Sequence, residues 1–226
     1  MNALSIPSLF ILFLYVFSSG CTKECPVTSV TDVDNNIYKV VSIGDQLWMG
    51  ENLKVTRYNN GDLIGTTIPG TKDITAETSP KYQWPPYDDE YNVENFGRLY
   101  TWYSGMDSRR LCPAGWHVQS DDEWRTLALY LGGIDIAGGK LKETGETFWS
   151  LPNTGATNES GFSARPGGYR NPDGNFWTAR RYDVWWSSTS TSGTKALHWG
   201  VGYIYEYINR WEEVKSQAVS VRCLKD

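Results

Sequence analysis

The alternation of apolar and polar residues indicates that most of this chain folds as strands. Residues 36–55 have the pattern of two strands around the tight-turn pair Gly44–Asp45. Near the C-terminus, Val219 and Val221 alternate with polar residues, as in a strand that buries one face. After residue 140 the chain consists mainly of short apolar runs separated by glycine-containing turns. The pattern therefore predicts a fold rich in short strands and loops.

One segment, Ser120–Leu131, has the periodicity of an amphipathic helix instead. Trp124, Leu127, Ala128 and Leu131 are spaced at i, i+3, i+4 and i+7, so their side chains form one apolar stripe. This stripe predicts a helix that packs its apolar face against the sheet.

The residues at both ends of this segment support the helix. Ser120 and Glu123 have the spacing of a capping box, in which each side chain satisfies a free backbone N–H group. Asp121 and Asp122 add negative charge where the helix dipole is positive, and Gly132–Gly133 ends the helix. The three acidic residues are therefore explained by the start of a helix rather than by catalysis.

Residues 59–95 are polar and rich in Pro, Thr, Asp and Asn, which predicts a long loop. Loops of this length are usually functional or disordered, and the sequence leaves both interpretations open. The aromatic segment 96–105 that follows is compatible with a strand or a short helix.

The first twenty residues have the features of a signal peptide. The apolar run Leu9–Phe17 is too short to cross a bilayer as a helix, but it suits the core of a secretion signal. Ser18, Ser19 and Gly20 then precede Cys21, an order that resembles the bacterial lipobox, in which the cysteine is acylated and starts the mature chain. The alternative is an ordinary cleaved signal followed by an incidental cysteine.

The expected organisation is a signal peptide at 1–20, a lipidated N-terminus and linker at 21–31, and one domain at 32–226. A lipid on Cys21 would attach the protein to a membrane of the bacterial cell envelope, as an outer-membrane lipoprotein. The short stretch after it, Thr22–Glu24, resembles the export tag of surface-exposed lipoproteins of Bacteroidetes.

Composition adds one exclusion and one candidate chemistry. The net charge of −5 argues against a nucleic-acid partner. The 11 tryptophans and 14 tyrosines are numerous for this length and suggest that some rings serve binding as well as the core.

The four cysteines indicate one disulfide bond. If Cys21 carries a lipid, three remain, and an exported chain can keep disulfides. Cys112 precedes the predicted helix and Cys223 follows the last predicted strand, so we expect these two to be bonded. Cys25 lies in the linker and is expected to be unpaired, with an intermolecular bond as the alternative.

Sequence patterns typical of enzymes and metal sites are not found. The two histidines, His117 and His198, belong to no zinc-binding motif, and the chain has no P-loop and no nucleophile elbow. Asp32, Asp34 and Asn36 have the spacing of an EF-hand loop but lack its glycine, so we favour a polar turn. We therefore expect no catalytic residue, no metal site and no cofactor.

Several ordered stretches are together distinctive: "DVDNNIYKVVSIGDQLWMGENL", "CPAGWHVQSDDEW", "GFSARPGGYR", "WWSST" and "SVRCLKD". They resemble the Fibrobacter succinogenes major paralogous domain family over roughly residues 30–226. More distantly, "HVQSDDEW" and "GFSARPGGYR" resemble the core shared by formylglycine-generating enzymes and C-type lectins. This second resemblance does not extend to the oxidase activity, because the copper-binding cysteine pair has no counterpart here.

The resemblance implies an α+β fold of the C-type-lectin-like type. Such a fold has a twisted antiparallel sheet, one or two helices and long loops. It also places a cysteine before the helix next to one on the last strand, in agreement with the expected disulfide. Fold alone does not give function.

The aromatic residues of the last third are the best candidates for a binding face. In "GYIYEYINRW" the tyrosines alternate with other residues, so a strand here would place them on one face. The alternative is that most of these rings belong to the core. The candidate ligand-binding residues are Trp185, Trp199, Tyr203, Tyr205, Tyr207 and Arg170.

Taken together, the sequence predicts a lipid-anchored cell-envelope protein that is not an enzyme and that binds a glycan or a protein ligand. One alternative is a structural or adhesin component of a surface assembly, which would offer a partner strand or form a stable oligomer. The other is an enzyme, which would show a pocket with convergent polar groups.

Overall fold

The computed structural model describes residues 27–226, which form three antiparallel sheets and short helices. The expectation of antiparallel strands with few helices is confirmed, and this content is consistent with an α+β or a mainly β class. The strands are β1 (Ser29–Thr31), β2 (Ile37–Ile43), β3 (Gln46–Met49), β4 (Gln83–Trp84), β5 (Leu99–Thr101), β6 (Trp116–Val118), β7 (Tyr169–Arg170), β8 (Phe176–Trp177), β9 (Tyr182–Ser190), β10 (Lys195–Gly202), β11 (Asn209–Val214), β12 (Ala218–Val219) and β13 (Cys223–Lys225). The helices are α1 (Val93–Phe96), α2 (Trp102–Gly105), α3 (Asp121–Tyr130) and α4 (Ile134–Leu141), with 3-10 turns at Pro86–Asp88 and Glu90–Asn92.

Each sheet combines strands that are distant in sequence. The first sheet has the order β1-β2-β3-β13-β6, the second β11-β10-β9, and the third β4-β5-β12-β7-β8. The last strands, β12 and β13, therefore lie inside the third and first sheets rather than at their edges. The predicted hairpin at Gly44–Asp45 is confirmed as the β2–β3 connection, where Gly44 has a φ of +61°.

The predicted helix is confirmed as α3, with both hydrogen bonds of the capping box. The Ser120 side chain accepts from the N–H of Glu123, and the Glu123 carboxylate accepts from the N–H of Ser120 at 2.7 Å.

Helix α4 has no counterpart among the predictions, because Gly138 and Gly139 in its middle lower its intrinsic helix propensity. These glycines are needed for packing: a Cβ on Gly139 would lie 2.3 Å from the carbonyl oxygen of Gly155.

The expected disulfide is confirmed between Cys112 and Cys223. It joins the chain just before β6 to β13, where Cys223 is also the register partner of Val118. The two cysteines are 111 residues apart, and in the chain-entropy model a loop of this length is worth about 4 to 5 kcal/mol. Cys25 and Cys21, like the predicted signal peptide, lie outside the described residues.

The predicted long loop, 59–95, packs against the third sheet. It contributes β4 as the edge strand of that sheet and buries Ile64, Ile74 and Trp84. The backbone N–H of Ile74 also donates to the carbonyl of Pro172, at 2.8 Å. Much of this segment is therefore structural, although its composition is that of a loop.

Asn52, which follows β3, lies at the centre of a buried polar network. Its Oδ1 accepts hydrogen bonds from the Arg222 guanidinium at 2.7 and 2.9 Å and from the Trp185 indole at 2.8 Å. Its Nδ2 donates to the Asp183 carboxylate and to the Ser220 hydroxyl, each at 3.2 Å. Asp183 and Trp185 lie on β9, Ser220 follows β12, and Arg222 precedes β13. One side chain thus links elements of all three sheets.

The charges in this network are almost completely removed from solvent. Burial lowers the pKa of the Arg222 guanidinium to about 10 and raises the pKa of the Asp183 carboxyl to about 7, and each group partly offsets the shift of the other. Arg222 also donates to the Phe162 carbonyl and lies 3.9 Å from the centroid of that ring, while the Arg165 N–H donates to Asp183. Buried charges of this kind stabilise a fold only while all partners are present.

We predict that Asn52→Leu will lower the free energy of unfolding by roughly 3 to 5 kcal/mol, the range for a buried charge that loses its partner. The leucine has a similar size, but it can neither accept from Arg222 and Trp185 nor donate to Asp183. Urea denaturation measures the change. The exposed Asn95, whose side chain makes no hydrogen bond within residues 27–226, is the matched control, and Asn95→Leu should stay within about 0.5 kcal/mol of the parent protein. An Asn52→Leu protein as stable as this control would contradict the role of the network.

Candidate ligand-binding groove

Two of the predicted binding residues, Trp185 and Trp199, lie in the core. Both are 0% exposed, and they surround Trp124 of α3 with ring centroids 5.4 and 6.2 Å away. The Trp199 indole donates to the Asp121 carboxylate at 3.0 Å, and the Trp185 indole donates to Asn52. Neither ring has a face open to a ligand, because strand alternation directs them towards α3.

Arg170, also predicted to bind a ligand, is completely buried as well. Its guanidinium donates to the backbone carbonyls of Gly70 at 2.8 Å, Lys72 at 2.5 Å and Asn171 at 3.0 Å, and it lies 4.1 Å from the Trp84 ring centroid. These contacts hold the 59–95 segment against β7. Arg170 therefore shapes the fold and has no surface for a ligand.

The three predicted tyrosines do not form a strand. Tyr203, Tyr205 and Tyr207 lie in the connection between β10 and β11, which begins only at Asn209. The rings of Tyr205 and Tyr207 stack with centroids 3.9 Å apart and an angle of 6° between their planes. Tyr203 instead packs on the core below Arg181. The structure thus brings two of the three tyrosines together.

Tyr205 and Tyr207 line a groove of about 600 Å³ on the open face of the second sheet. We call it the aromatic groove. It is lined by Tyr169, Thr178, Tyr182, Val184, His198, Tyr205, Tyr207, Asn209, Trp211, Glu212, Glu213 and Gln217. The register explains most of this set: His198 lies opposite Trp211, and both face away from the buried side that Trp199 occupies. One face of the sheet therefore packs against α3, whereas the other buries Trp186 and Ala196 in a second core cluster and leaves its remaining part to the groove.

Two glycines of β10 lie against rings that line the aromatic groove. A Cβ on Gly202 would lie 2.5 Å from Cζ of Tyr205, and a Cβ on Gly200 would lie 3.1 Å from the Trp211 ring. The absence of side chains at these positions lets the Tyr205 and Trp211 rings lie close to the backbone of the sheet.

Lys142, the residue after α4, holds the connection between β10 and β11 in place. Its buried ammonium donates to the carbonyls of Thr154, Gly202 and Tyr205 at 2.7, 2.9 and 2.8 Å. The N–H of Gly139 in α4 also donates to the Glu206 carbonyl, at 2.7 Å. Tyr205 is further held by a hydrogen bond from Asn209 to its hydroxyl, at 2.8 Å. The groove wall is therefore set by backbone contacts rather than by the tyrosine rings alone.

The groove also contains buried polar atoms that lack partners within residues 27–226. His198 is 7% exposed and its Nδ1 makes no hydrogen bond, and Gln217 is 5% exposed and its Oε1 makes none. Burial lowers the pKa of His198 to about 4, so its imidazole is neutral near neutral pH. Unsatisfied buried polar atoms are costly, but these two atoms are enclosed by protein and are not open to the groove.

The other residues considered for chemistry are occupied by structural contacts. The Asp32 carboxylate accepts from the N–H groups of Asp34 and Asn36 and from the Tyr38 hydroxyl, which confirms the polar turn. His117 on β6 bonds the carboxylates of Asp226 at 2.6 Å and Glu123 at 3.0 Å. Burial acts to lower the pKa of His117, but these two partners outweigh it and raise the pKa above its usual value.

Within residues 27–226, no three His, Cys, Asp or Glu side chains are grouped as a metal site would require. Over the same range, no helix is long and apolar enough to cross a bilayer.

Sequence reasoning missed several residues of the groove. Trp211 and Glu213 follow the tyrosines at alternate positions of β11, so continuing the alternation two residues past Asn209 would have found Trp211. Tyr169 and Gln217 come from other parts of the chain and carry no local signal. Only tertiary structure places them beside the second sheet.

Comparison with known proteins identifies a family. The model of the Fibrobacter succinogenes major domain matches residues 41–225, and the chain belongs to that family. The comparison with curated proteins gave no match, and neither did the comparison with solved structures.

Proposed function

We propose that this member of the Fibrobacter succinogenes major domain family is a lipid-anchored cell-envelope protein that binds a glycan in the aromatic groove, without catalysis. The observation that carries the proposal is the groove itself, where partly exposed tyrosine and tryptophan rings lie beside the polar side chains of Asn209, Glu212 and Glu213. Its volume of about 600 Å³ lies within the usual range for ligand sites, about 300 to 1,000 Å³.

The combination of groups suits a sugar. Aromatic faces pack against the apolar faces of sugar rings, and Tyr207 and Trp211 are 39% and 38% exposed. Asn209, Glu212 and Glu213 supply hydrogen-bonding groups near these rings, as a ligand with many hydroxyls requires.

The fold supports the same proposal by analogy only. We propose that the domain is C-type-lectin-like, since the Cys112–Cys223 bond joins the segment before α3 to the last strand. The analogy concerns architecture alone and does not supply a binding site. The site proposed here is the aromatic groove on the second sheet.

A surface assembly is the second candidate, and the observation that favours it is the outer edge of β11. Within the described residues, β11 pairs only with β10, so its six residues leave one edge free for a partner strand. However, Arg210, Glu212 and Glu213 put three charges on this strand, and charged edge strands resist pairing. We therefore prefer glycan binding.

The groove is tested by a glycan array followed by titration calorimetry of the purified protein. We predict that Trp211→Ala and Tyr207→Ala will each weaken binding of the selected glycan at least about tenfold, because each removes a ring that packs against the sugar, worth about 1.4 kcal/mol or more.

The matched controls are Trp177→Ala and Tyr91→Ala, which remove rings that are 49% and 90% exposed but do not line the groove. These variants should bind like the parent protein. Equal losses in control and groove variants, or an array without any bound glycan, would contradict the proposed function.

The anchor is tested separately. We predict that Cys21→Ala will move the protein from the membrane fraction into the soluble fraction, because it removes the acylated thiol. Immunoblots of fractionated cells measure the distribution, and Cys25→Ala is the control that should stay with the membrane. A Cys21→Ala protein that still sediments with membranes would show that the attachment is not this lipid.

A further inference from the structure

We propose that the glycan bound in the aromatic groove carries a free, protonated amino group, as an amino sugar without its acetyl group does. This inference rests on the proposed function and adds the charge of the ligand to it. The evidence for a positive charge on the ligand is the balance between the carboxylates that line the groove and the basic residues that do not.

No lysine or arginine lines the aromatic groove, whereas two glutamates do. Glu212 has a cationic partner, since its carboxylate lies 3.6 Å from Nζ of Lys195. Glu213, which shares the groove face of β11 with Trp211, makes no ion pair within residues 27–226. The groove therefore offers one carboxylate whose charge is not balanced by the protein.

Three basic residues near the groove are engaged by other groups. Lys195 pairs with Glu212, as described above, and Arg210 alternates to the opposite face of β11 and binds the Asp121 carboxylate at 2.6 Å. Lys215 donates to the carbonyls of Ser192 and Gly193. Among the lining residues an anionic ligand would therefore find no cation, while a cationic ligand would meet a carboxylate that lacks a partner.

The aromatic rings favour the same sign of charge. The faces of tyrosine and tryptophan rings carry negative potential, and cations within about 6 Å of the ring centre are attracted to it. Tyr169, Tyr182, Tyr205, Tyr207 and Trp211 surround the groove, and Tyr169 lies near enough to Glu213 for burial and that carboxylate to raise its pKa. An ammonium group between the rings and Glu213 would interact favourably with both.

The histidine of the groove does not oppose such a group. Burial lowers the pKa of His198 to about 4, so its imidazole is neutral near neutral pH and adds no positive charge to the groove.

The test compares two sugars with the same backbone, one with free charged amines and one whose amines are acetylated and neutral. The probes are the β-1,4-linked tetramer of glucosamine and its fully N-acetylated counterpart, titrated into the purified protein at about pH 6, where an amine is protonated, and at about 0.05 M salt. We expect the glucosamine tetramer to bind at least about fivefold tighter, and this preference to shrink in about 0.5 M salt because the charge interaction is screened.

Glu213→Gln should bring the ratio of the two affinities close to one, mainly by weakening the binding of the glucosamine tetramer. The matched control is Glu146→Gln, which removes an exposed carboxylate outside the groove and should keep the preference. Melting temperatures of both variants show whether they are folded.

Three results would overturn the inference. A preference for the N-acetylated tetramer, or equal affinity for both, would show that the groove does not select a cation, although the proposed function would stand if Trp211→Ala still abolished binding. If Glu213→Gln still preferred the glucosamine tetramer to the same extent, Glu213 would not be the group that binds the ammonium. Tighter binding of tetralysine than of the glucosamine tetramer would assign the groove to a basic peptide instead of a sugar.

Discussion

The structure depends on the hydrogen bonds of one buried amide. Asn52 is suited to its position because it has both an acceptor and a donor, and it meets a guanidinium on one side and a carboxylate on the other. A charged residue would satisfy only one of these neighbours, and an apolar residue would satisfy neither. The three sheets are short, and several of their strands have only two or three residues. Backbone pairing alone therefore joins them weakly, and the network supplies contacts between them.

The same network explains why the groove can exist on the open face of the second sheet. Asp183 and Trp185 of β9 are held from the core side, and Tyr182 and Val184, which alternate with them, face the groove. From the other end, Lys142 binds the carbonyls that precede and follow the turn after β10. Groups outside the groove therefore hold both of its walls in place. Few side chains or loops would have to become ordered if a ligand bound there.

Most residues of the recognisable motifs belong to this support, and of the groove residues these motifs contain Tyr169. "GENL" contains Asn52, "GFSARPGGYR" contains Phe162, Arg165 and Arg170, "WWSST" contains Trp185, and "SVRC" contains Ser220 and Arg222. These residues lie in or beside the buried network and in the clamp on the 59–95 segment. The resemblance to the family therefore indicates a common framework, whereas the groove is built largely from residues outside those motifs.

Local signals were sufficient where local interactions decide the structure. The α3 capping box, the β2–β3 hairpin and the terminal disulfide were predicted because their determinants lie within a few residues or in the count of cysteines. The strand expected at 203–207 was wrong, because Tyr205 folds back over Gly202 and its carbonyl is held by Lys142, a contact 63 residues distant. Both faces of β9 and β10 are largely buried, which alternation cannot show, so Trp185 and Trp199 were assigned to a ligand although they belong to the core.

The most direct test of the groove is a map of where a ligand binds. Two-dimensional NMR spectra of the indole and backbone N–H groups, recorded while the strongest glycan of the array is added, provide this map. The account predicts that the Trp211 indole and the amides of residues 198–213 shift together and saturate, while the exposed indole of Trp177 does not move. Shifts that cluster around Trp177, or in the cleft beside Cys112 and His117, with an unchanged Trp211 signal would contradict it.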